Sequence, residues 1–412
     1  MAITHMPVRL SVRTTQHECE HTPHSTVLRG LTPPVTPTID DDSLSGSEVT
    51  VHSNTSSPFL SPVDAKPEKL DEEISDTKHF TDDLEYHYDP KGRAVEFGRG
   101  VWSVVYKASS SPAVKSGLLT PPSSPAVKGR VVAVKSPVRR DAHSVLDAEA
   151  RALTRISRVA GAENHVVPFR GYISESHSIV MSAVPLALST YIQDKAAIAQ
   201  KTRSTQTMFD PVQGMAHWHV LAEKLIAGLA WLHSGPQMVH GDIKPHNILL
   251  RSHSPSGQDL DLESDSFPYE PLFADFSSAH PIASPSSPEQ CSMGTALTAL
   301  TPPFAAPELL CVSSLTSPDV APTPESDVFS LAVSLLAAAT GDLLLYPGAS
   351  NLQRLAMARE GHRVIDFARS GPNGSRVPRA GVVEQIIKPA IAKDPSQRIH
   401  PDDWLHLAES AH

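Results

Sequence analysis

Three polar residues in one short stretch set the chemistry to be explained. Met238–Leu250 reads MVHGDIKPHNILL, with Asp242 and Asn247 five positions apart and Lys244 between them. A carboxylate there can orient an attacking hydroxyl and take its proton, and an ammonium beside it can neutralise a phosphate in transit. An amide oxygen can bind a metal ion. Further on, Leu272–Phe276 (LFADF) brings Asp275 to the end of a strand, as a second metal ligand. Phosphoryl transfer needs positioning and charge neutralisation more than covalent help. Mg²⁺ prefers a few protein oxygens together with phosphate oxygens, so one Asp and one Asn suffice.

Such a centre also needs groups to hold the phosphates. FGRGVWSV places Gly98, Gly100 and Ser103 where a GxGxxG turn has three glycines, so backbone N–H groups can lie over phosphate oxygens. Ala-Val-Lys occurs three times, ending at Lys115, Lys128 and Lys135. Lys115 and Lys128 each follow Ser-Ser-Pro, which does not read as interior strand. Lys135 closes the uninterrupted run RVVAVK and lies 14 residues before Glu149 on the next helix. That spacing lets a helical carboxylate fold back and hold the ammonium, so Lys135 is selected.

The elements that must position these groups follow from periodicity. Ala94–Ala108 gives two apolar strand-like pieces around the glycine turn, and Arg130–Lys135 and Ser178–Val184 read as buried strands. Asp141–Val159 has helical spacing, with Val145, Ala148, Ala152, Leu153 and Ile156 on one face. Met215–His233 is a long helix, Ile248–Leu250 a short strand, and helical patterns dominate from Glu325. A β-rich part followed by an α-rich part predicts two lobes.

In order and rough spacing, VAVK, HGDIKPHNILL, ADFS, AAPELL and SDVFSLAV resemble the eukaryotic protein kinases, of Ser/Thr type. The resemblance runs from about residue 93 to 408. It implies an α+β, two-lobed kinase fold: a tail over 1–92, a small β-rich lobe with one helix over 93–184 and a larger α-helical lobe over 185–408. Polar inserts are expected near 109–129, 195–212 and 252–269. The resemblance also implies roles. Lys135 would pair with Glu149 and the ATP phosphates, Asp242 would be the catalytic-loop base, and Asn247 and Asp275 would hold Mg²⁺, or Mn²⁺ in its place. Val105, Ala133 and Leu249 would sandwich the adenine. Ser182–Val184 would form the hinge after a Met181 gatekeeper. Thr301 would bridge Asp242 and Lys244, Asp327 would orient the catalytic-loop backbone, and Arg398 would pair with Glu308. The partners implied are ATP and protein substrates.

Two positions depart from the pattern. Ser277 stands where kinases carry Gly, which restricts the backbone after Asp275. Gly241 stands where many carry an Arg that a phosphate in the activation segment neutralises. Every group for phosphate chemistry is nonetheless present, which predicts an active enzyme independent of that phosphate. A catalytically weak scaffold is the alternative, and transfer to a small molecule a third reading.

Composition bounds the rest. The chain has 412 residues and 37 prolines, about 9% against a usual ~5%, so part of it is expected not to pack as a globule. Between Asp40 and Asp89 stand 14 acidic residues and 3 lysines, against −10 for the whole chain, so the remainder is near neutral. That excludes the basic footprint of a nucleic-acid binder. Thr22, Thr32, Thr36, Ser57 and Ser61 each precede Pro, which suits proline-directed phosphorylation or regulator binding by a disordered tail. Cys19, Cys291 and Cys311 are scattered and odd in number, which fits a reducing intracellular setting, cytoplasmic or nuclear. His17–His24 (HECEHTPH) lacks the second cysteine pair that would complete a zinc site. No apolar run reaches the ~18 residues of a membrane helix. Arg9 and Arg13 without acids give only a faint transit-peptide flavour.

Overall fold

A computed structural model describes residues 77–112, 129–253, 267–282, 301–311, 314, 320–346 and 350–411. All of these fall in one compact unit, Pro67–His412. The Ser/Thr-Pro sites of the tail, the HECEHTPH cluster, Cys19 and Cys291, Lys115 and Lys128, and most of the inserts lie outside the described residues.

The first lobe is an antiparallel sheet. Its strands are β1 (Asp83–Tyr86), β2 (Glu96–Arg99), β3 (Ser103–Ser111), β4 (Arg130–Pro137), β5 (Phe169–Ile173) and β6 (Ser178–Ser182). The order is β1-β3-β4-β6-β5, and β2 continues along the β3 edge that β1 begins. Strand alternation divides β4 between two faces. Val132 and Val134 join Ala108 and Val180 in a small cluster on one side. Ala133 and Lys135 point the other way, opposite Met181 and Val105 respectively. One cross-strand pattern thus gathers Val105, Ala133, Lys135 and Met181 on a single face.

The helix α1 (His143–Ser157) packs on this sheet through Leu146, Leu153 and Ile156, and a short α2 (Ala162–His165) follows it. After β6 the chain passes through β7 (Leu186–Ala187) into α3 (Leu188–Lys201) and α4 (Met215–Ser234). Next come β8 (Met238–Val239), β9 (Ile248–Ser252), β10 (Tyr269–Phe273) and β11 (His280–Pro281), then α5 (Pro324–Thr340). The remaining helices are α6 (Asn351–Arg359), α7 (Val364–Ser370), α8 (Val382–Ile387) and α9 (Pro401–Ser410).

At the centre of the second lobe α5 is apolar all round, with nearly every residue buried, as a helix inside a core must be. Thr323 and Ser326 close a reciprocal capping box at its start, Pro324 takes the first turn, and Gly341 ends it. Leu331, Leu335 and Leu336 are fully buried, and each stabilises the lobe by roughly 1.5–3 kcal/mol. The indole of Trp218 on α4 donates to Leu335 O at 3.0 Å and locks the two helices together.

Two expected boundaries move. The fold begins before residue 93: β1 pairs with β3 over Asp83–Tyr86, and residues 78–80 lie along β5. Phe80 N donates to Tyr172 O at 2.9 Å, and Tyr172 N to Lys78 O at 2.8 Å. A Cβ on Gly171 would sit 2.6 Å from Phe80 N, so only glycine admits this approach. The polar sequence here is that of a sheet edge facing water, which composition alone does not separate from a tail. The expected insert 195–212 also shrinks, because α3 runs through Lys201.

Candidate active site

Lys135 enters the cleft from β4 with its ammonium almost out of water. Its Nζ donates to Glu149 Oε1 and Oε2 at 2.7 and 2.6 Å and to Asp275 Oδ1 at 2.6 Å. Burial works against the charge, but Asp275 and Glu149 outweigh it and raise the lysine pKa. A buried ion with two close carboxylates and satisfied donors holds a fixed geometry. Glu149, from α1, also accepts from Phe276 N at 3.1 Å, which ties α1 to the segment after β10.

Asp275 follows β10 with φ 63, a left-handed conformation uncommon outside glycine. Such strain persists where surroundings over-determine it, often at functional sites. Burial would raise its pKa, yet Lys135 holds the carboxyl far below the usual range. Ser277 adds a hydroxyl hydrogen bond to the same carboxylate, a contact that Gly could not make. The side chain is 39% exposed, so it remains reachable from the cleft.

Asp242, Lys244, Asn247 and Thr301 form a second cluster. Lys244 Nζ donates to Asp242 Oδ2 at 2.7 Å and to Thr301 Oγ1 at 3.1 Å. Asn247 Nδ2 donates to Asp242 O at 2.9 Å and Oδ2 at 3.0 Å, which leaves its carbonyl oxygen as the acceptor end. Burial pushes the Asp242 carboxyl up to about 6; Lys244 opposes this and Asp275 reinforces it. The two carboxylates therefore differ sharply, one held ionised and one near neutrality.

The loop backbone hangs from α5. Asp327 accepts from His240 N at 2.7 Å, Gly241 N at 2.9 Å and His233 Nε2 at 3.1 Å. His233 ends α4, and the sequence reading did not single it out; a histidine on the buried side of a helix end was the available signal. His240 Nε2 donates to Ala274 O at 3.1 Å, so its Nδ1 is free to accept from Asp242 N at 3.3 Å. Burial lowers the His240 pKa and keeps the ring neutral, consistent with that tautomer. In the same lobe Arg398 pairs bidentately with Glu308 at 2.7 Å and stacks 5.1 Å over Phe329.

Gly241 has φ 80, and a Cβ there would stand 2.7 Å from Ser278 O and 3.4 Å from Pro322 Cγ. The corner is filled by Ser278, itself buried, while His280 Nε2 hydrogen-bonds Pro322 O at 3.0 Å. Gly241 itself brings no charge to this corner.

The glycine turn closes at Gly100, whose N–H donates to Ser103 O at 2.8 Å. Gly98 lies opposite Val105, and Ser103 is buried at the start of β3. Trp102 at the tip stacks 4.9 Å from the Arg139 guanidinium, a contact the sequence did not suggest. Val184 and Leu249 pack half-buried against the main core. Ser182 turns away from the cleft: its N–H goes to Pro168 O and its hydroxyl accepts from Arg170.

Oxygen donors suit the expected metal. Asn247 offers an amide oxygen and Asp275 an exposed carboxylate, few and hard, as Mg²⁺ requires. Among the described residues no group of three or more His, Cys, Asp or Glu could hold a metal ion by itself.

Residues 124–408 match the family model described as protein kinase domain. The match opens between β3 and β4, so the glycine turn rests on sheet geometry alone. No curated protein matches the chain.

Proposed function

Given that the chain belongs to the protein kinase domain family, we propose that it is an ATP-dependent protein serine/threonine kinase, active without a phosphate in its activation segment. The observation that carries this is the joint assembly of Lys135–Glu149–Asp275 and Asp242–Lys244–Asn247–Thr301 within one cleft.

In this reading Lys135, fixed by Glu149, holds phosphate oxygens of ATP against the upper sheet. Val105, Ala133 and Met181 line that face, and Leu249 rises from the lower lobe. Mg²⁺, when bound, neutralises phosphate charge; Asn247 and Asp275 are the residues that would hold it. Asp242 aligns the substrate hydroxyl and accepts its proton as the oxygen bonds to the γ-phosphorus, while the bond to the β,γ-bridging oxygen breaks and ADP leaves. Lys244 offsets the charge on the phosphoryl group in transit, and Thr301 holds Lys244 in place. Lys244 two residues after the base, together with Thr301, supports Ser/Thr rather than Tyr as acceptor.

The filled corner at Gly241 supports independence from activation-segment phosphate, because no guanidinium stands there to receive one. Among the described residues no helix is long and apolar enough to cross a membrane, and Cys311 is a free thiol. The thiol fits an intracellular setting.

The deciding experiment is an in vitro assay with ATP, Mg²⁺ and a generic protein substrate, with Asp242→Asn beside the native chain. Loss of the base lowers the rate by on the order of 10²–10⁴. A native chain that binds ATP but shows no transfer would replace this reading with that of a scaffold.

A further inference from the structure

Between Gly98 and Trp102 one side chain reaches beyond its own hairpin. Gly98 and Gly100 bring none, and a Cβ at Gly98 would meet nothing within 4 Å. Arg99 turns back onto Glu96 at 2.6 Å, inside β2, and Val101 is 68% exposed. Trp102 instead lies half-buried against the main core, with its ring centroid 4.9 Å from the Arg139 guanidinium carbon. Its carbonyl accepts from Val138 N at 3.1 Å, which carries the β3–β4 ladder one step past Ser103 and Pro137. Arg139 Nε in turn donates to both oxygens of Asp141, at 2.7 and 2.8 Å. Asp141 belongs to the 3₁₀ turn Arg140–Ala142, which runs directly into α1, the helix of Glu149. One line of contacts therefore joins the tip of the glycine turn to the start of the helix that holds Lys135.

We infer, resting on the nucleotide site proposed above, that Trp102 is a positioning residue for the phosphates of ATP, latched on Arg139. A turn rich in glycine can adopt many conformations, and ordering it on binding costs affinity. A ring stacked on a guanidinium outside the hairpin restricts the turn before the ligand arrives. Indole is the aromatic group that attracts a cation best. The Arg139–Asp141 pair is about half exposed and contributes little by itself; its use is to hold the guanidinium in place. In the proposed site the adenine lies against Val105, Ala133 and Leu249, so the latch acts on phosphate contacts alone.

The test is calorimetric titration of the full chain with ATP and Mg²⁺ and, separately, with adenosine. Trp102→Leu should weaken ATP binding about two- to fivefold, the worth of one exposed cation–π contact, and leave adenosine binding unchanged. Arg139→Met should give the same loss, and the double variant no more than either alone. Trp102→Phe keeps a ring for Arg139 and should retain most of the affinity. In the nucleotide-free chain, hydrogen exchange at Gly100 N–H, which donates to Ser103 O, should speed up in Trp102→Leu. An equal loss for ATP and adenosine would replace the latch with a general packing role. ATP binding at native strength in Trp102→Leu, or additive losses in the double variant, would also overturn the latch. A native chain that binds neither ligand would overturn the nucleotide site itself, and this role of Trp102 with it.

Discussion

Two neighbouring positions of the loop after β8, Gly241 and Asp242, are built on opposite principles. Around Asp242 the site is charged, with Lys244 and Asn247 on one carboxylate oxygen and the carboxyl pushed up to about 6. Around Gly241, one residue earlier, there is no side chain, and the space a Cβ would take is packed shut by Ser278 and Pro322. Asp327 supports both, since one carboxylate holds the backbone of His240 and Gly241. The difference teaches that within three consecutive residues one loop can carry an ionisable side chain and a position that only glycine fills without strain.

The Asp242→Asn assay gives the largest effect. Next in size is Asp327→Ala, which strands two buried N–H groups at about 1–3 kcal/mol each and so lowers stability by about 2–6 kcal/mol in a denaturant titration. If the loop were held independently of α5, the loss would stay below about 1 kcal/mol. Gly241→Ala and Gly241→Arg should both cost about 1–3 kcal/mol, because the collision and the φ belong to the Cβ, not to the charge. A normal melting temperature for the Arg variant would show that the corner can reopen.

A pH profile sharpens the other end. In the proposed reaction Asp242 acts as a carboxylate, so kcat/KM should fall below about pH 6, approaching tenfold per unit. Lys244→Met removes the cation that opposes the upward shift, so its acid limb should move to higher pH. A limb fixed in place would separate Lys244 from the ionisation of the base. The smallest expected effect is at Ser284, Ser286, Ser287, Ser292, Thr295 and Thr298, which lie outside the described residues. Replacing them with Ala should change the rate less than about twofold, and a large loss would restore a role for phosphate.

What the sequence made legible was what spacing carries. Lys135 could be told from Lys115 and Lys128 because a buried strand excludes Ser-Ser-Pro, and its contact with Glu149 follows from where the next helix must lie. α1, α4 and α5 were legible because an apolar face or an all-apolar run leaves few alternatives. Gly241 was only half legible. Its lack of charge could be read from the letter, but its φ and the nearby carbonyl of Ser278 depend on a turn 37 residues away in sequence. The tail boundary failed for a related reason. Asp83–Tyr86 is a strand because β3 offers it an edge, and no local pattern announces a partner.

The segment along β5 has a consequence for how the domain can be cut. Sheet edges with open N–H and C=O groups invite pairing with other chains. Residues 78–80 cover β5, and β1 covers the far half of β3. A fragment begun at residue 93, where the family resemblance starts, would bare both edges at once. Such a fragment is expected to self-associate through its strands even with Lys135, Asp242 and Asp275 in place, and a fragment that keeps residues 78–86 is expected to stay monomeric in size-exclusion chromatography.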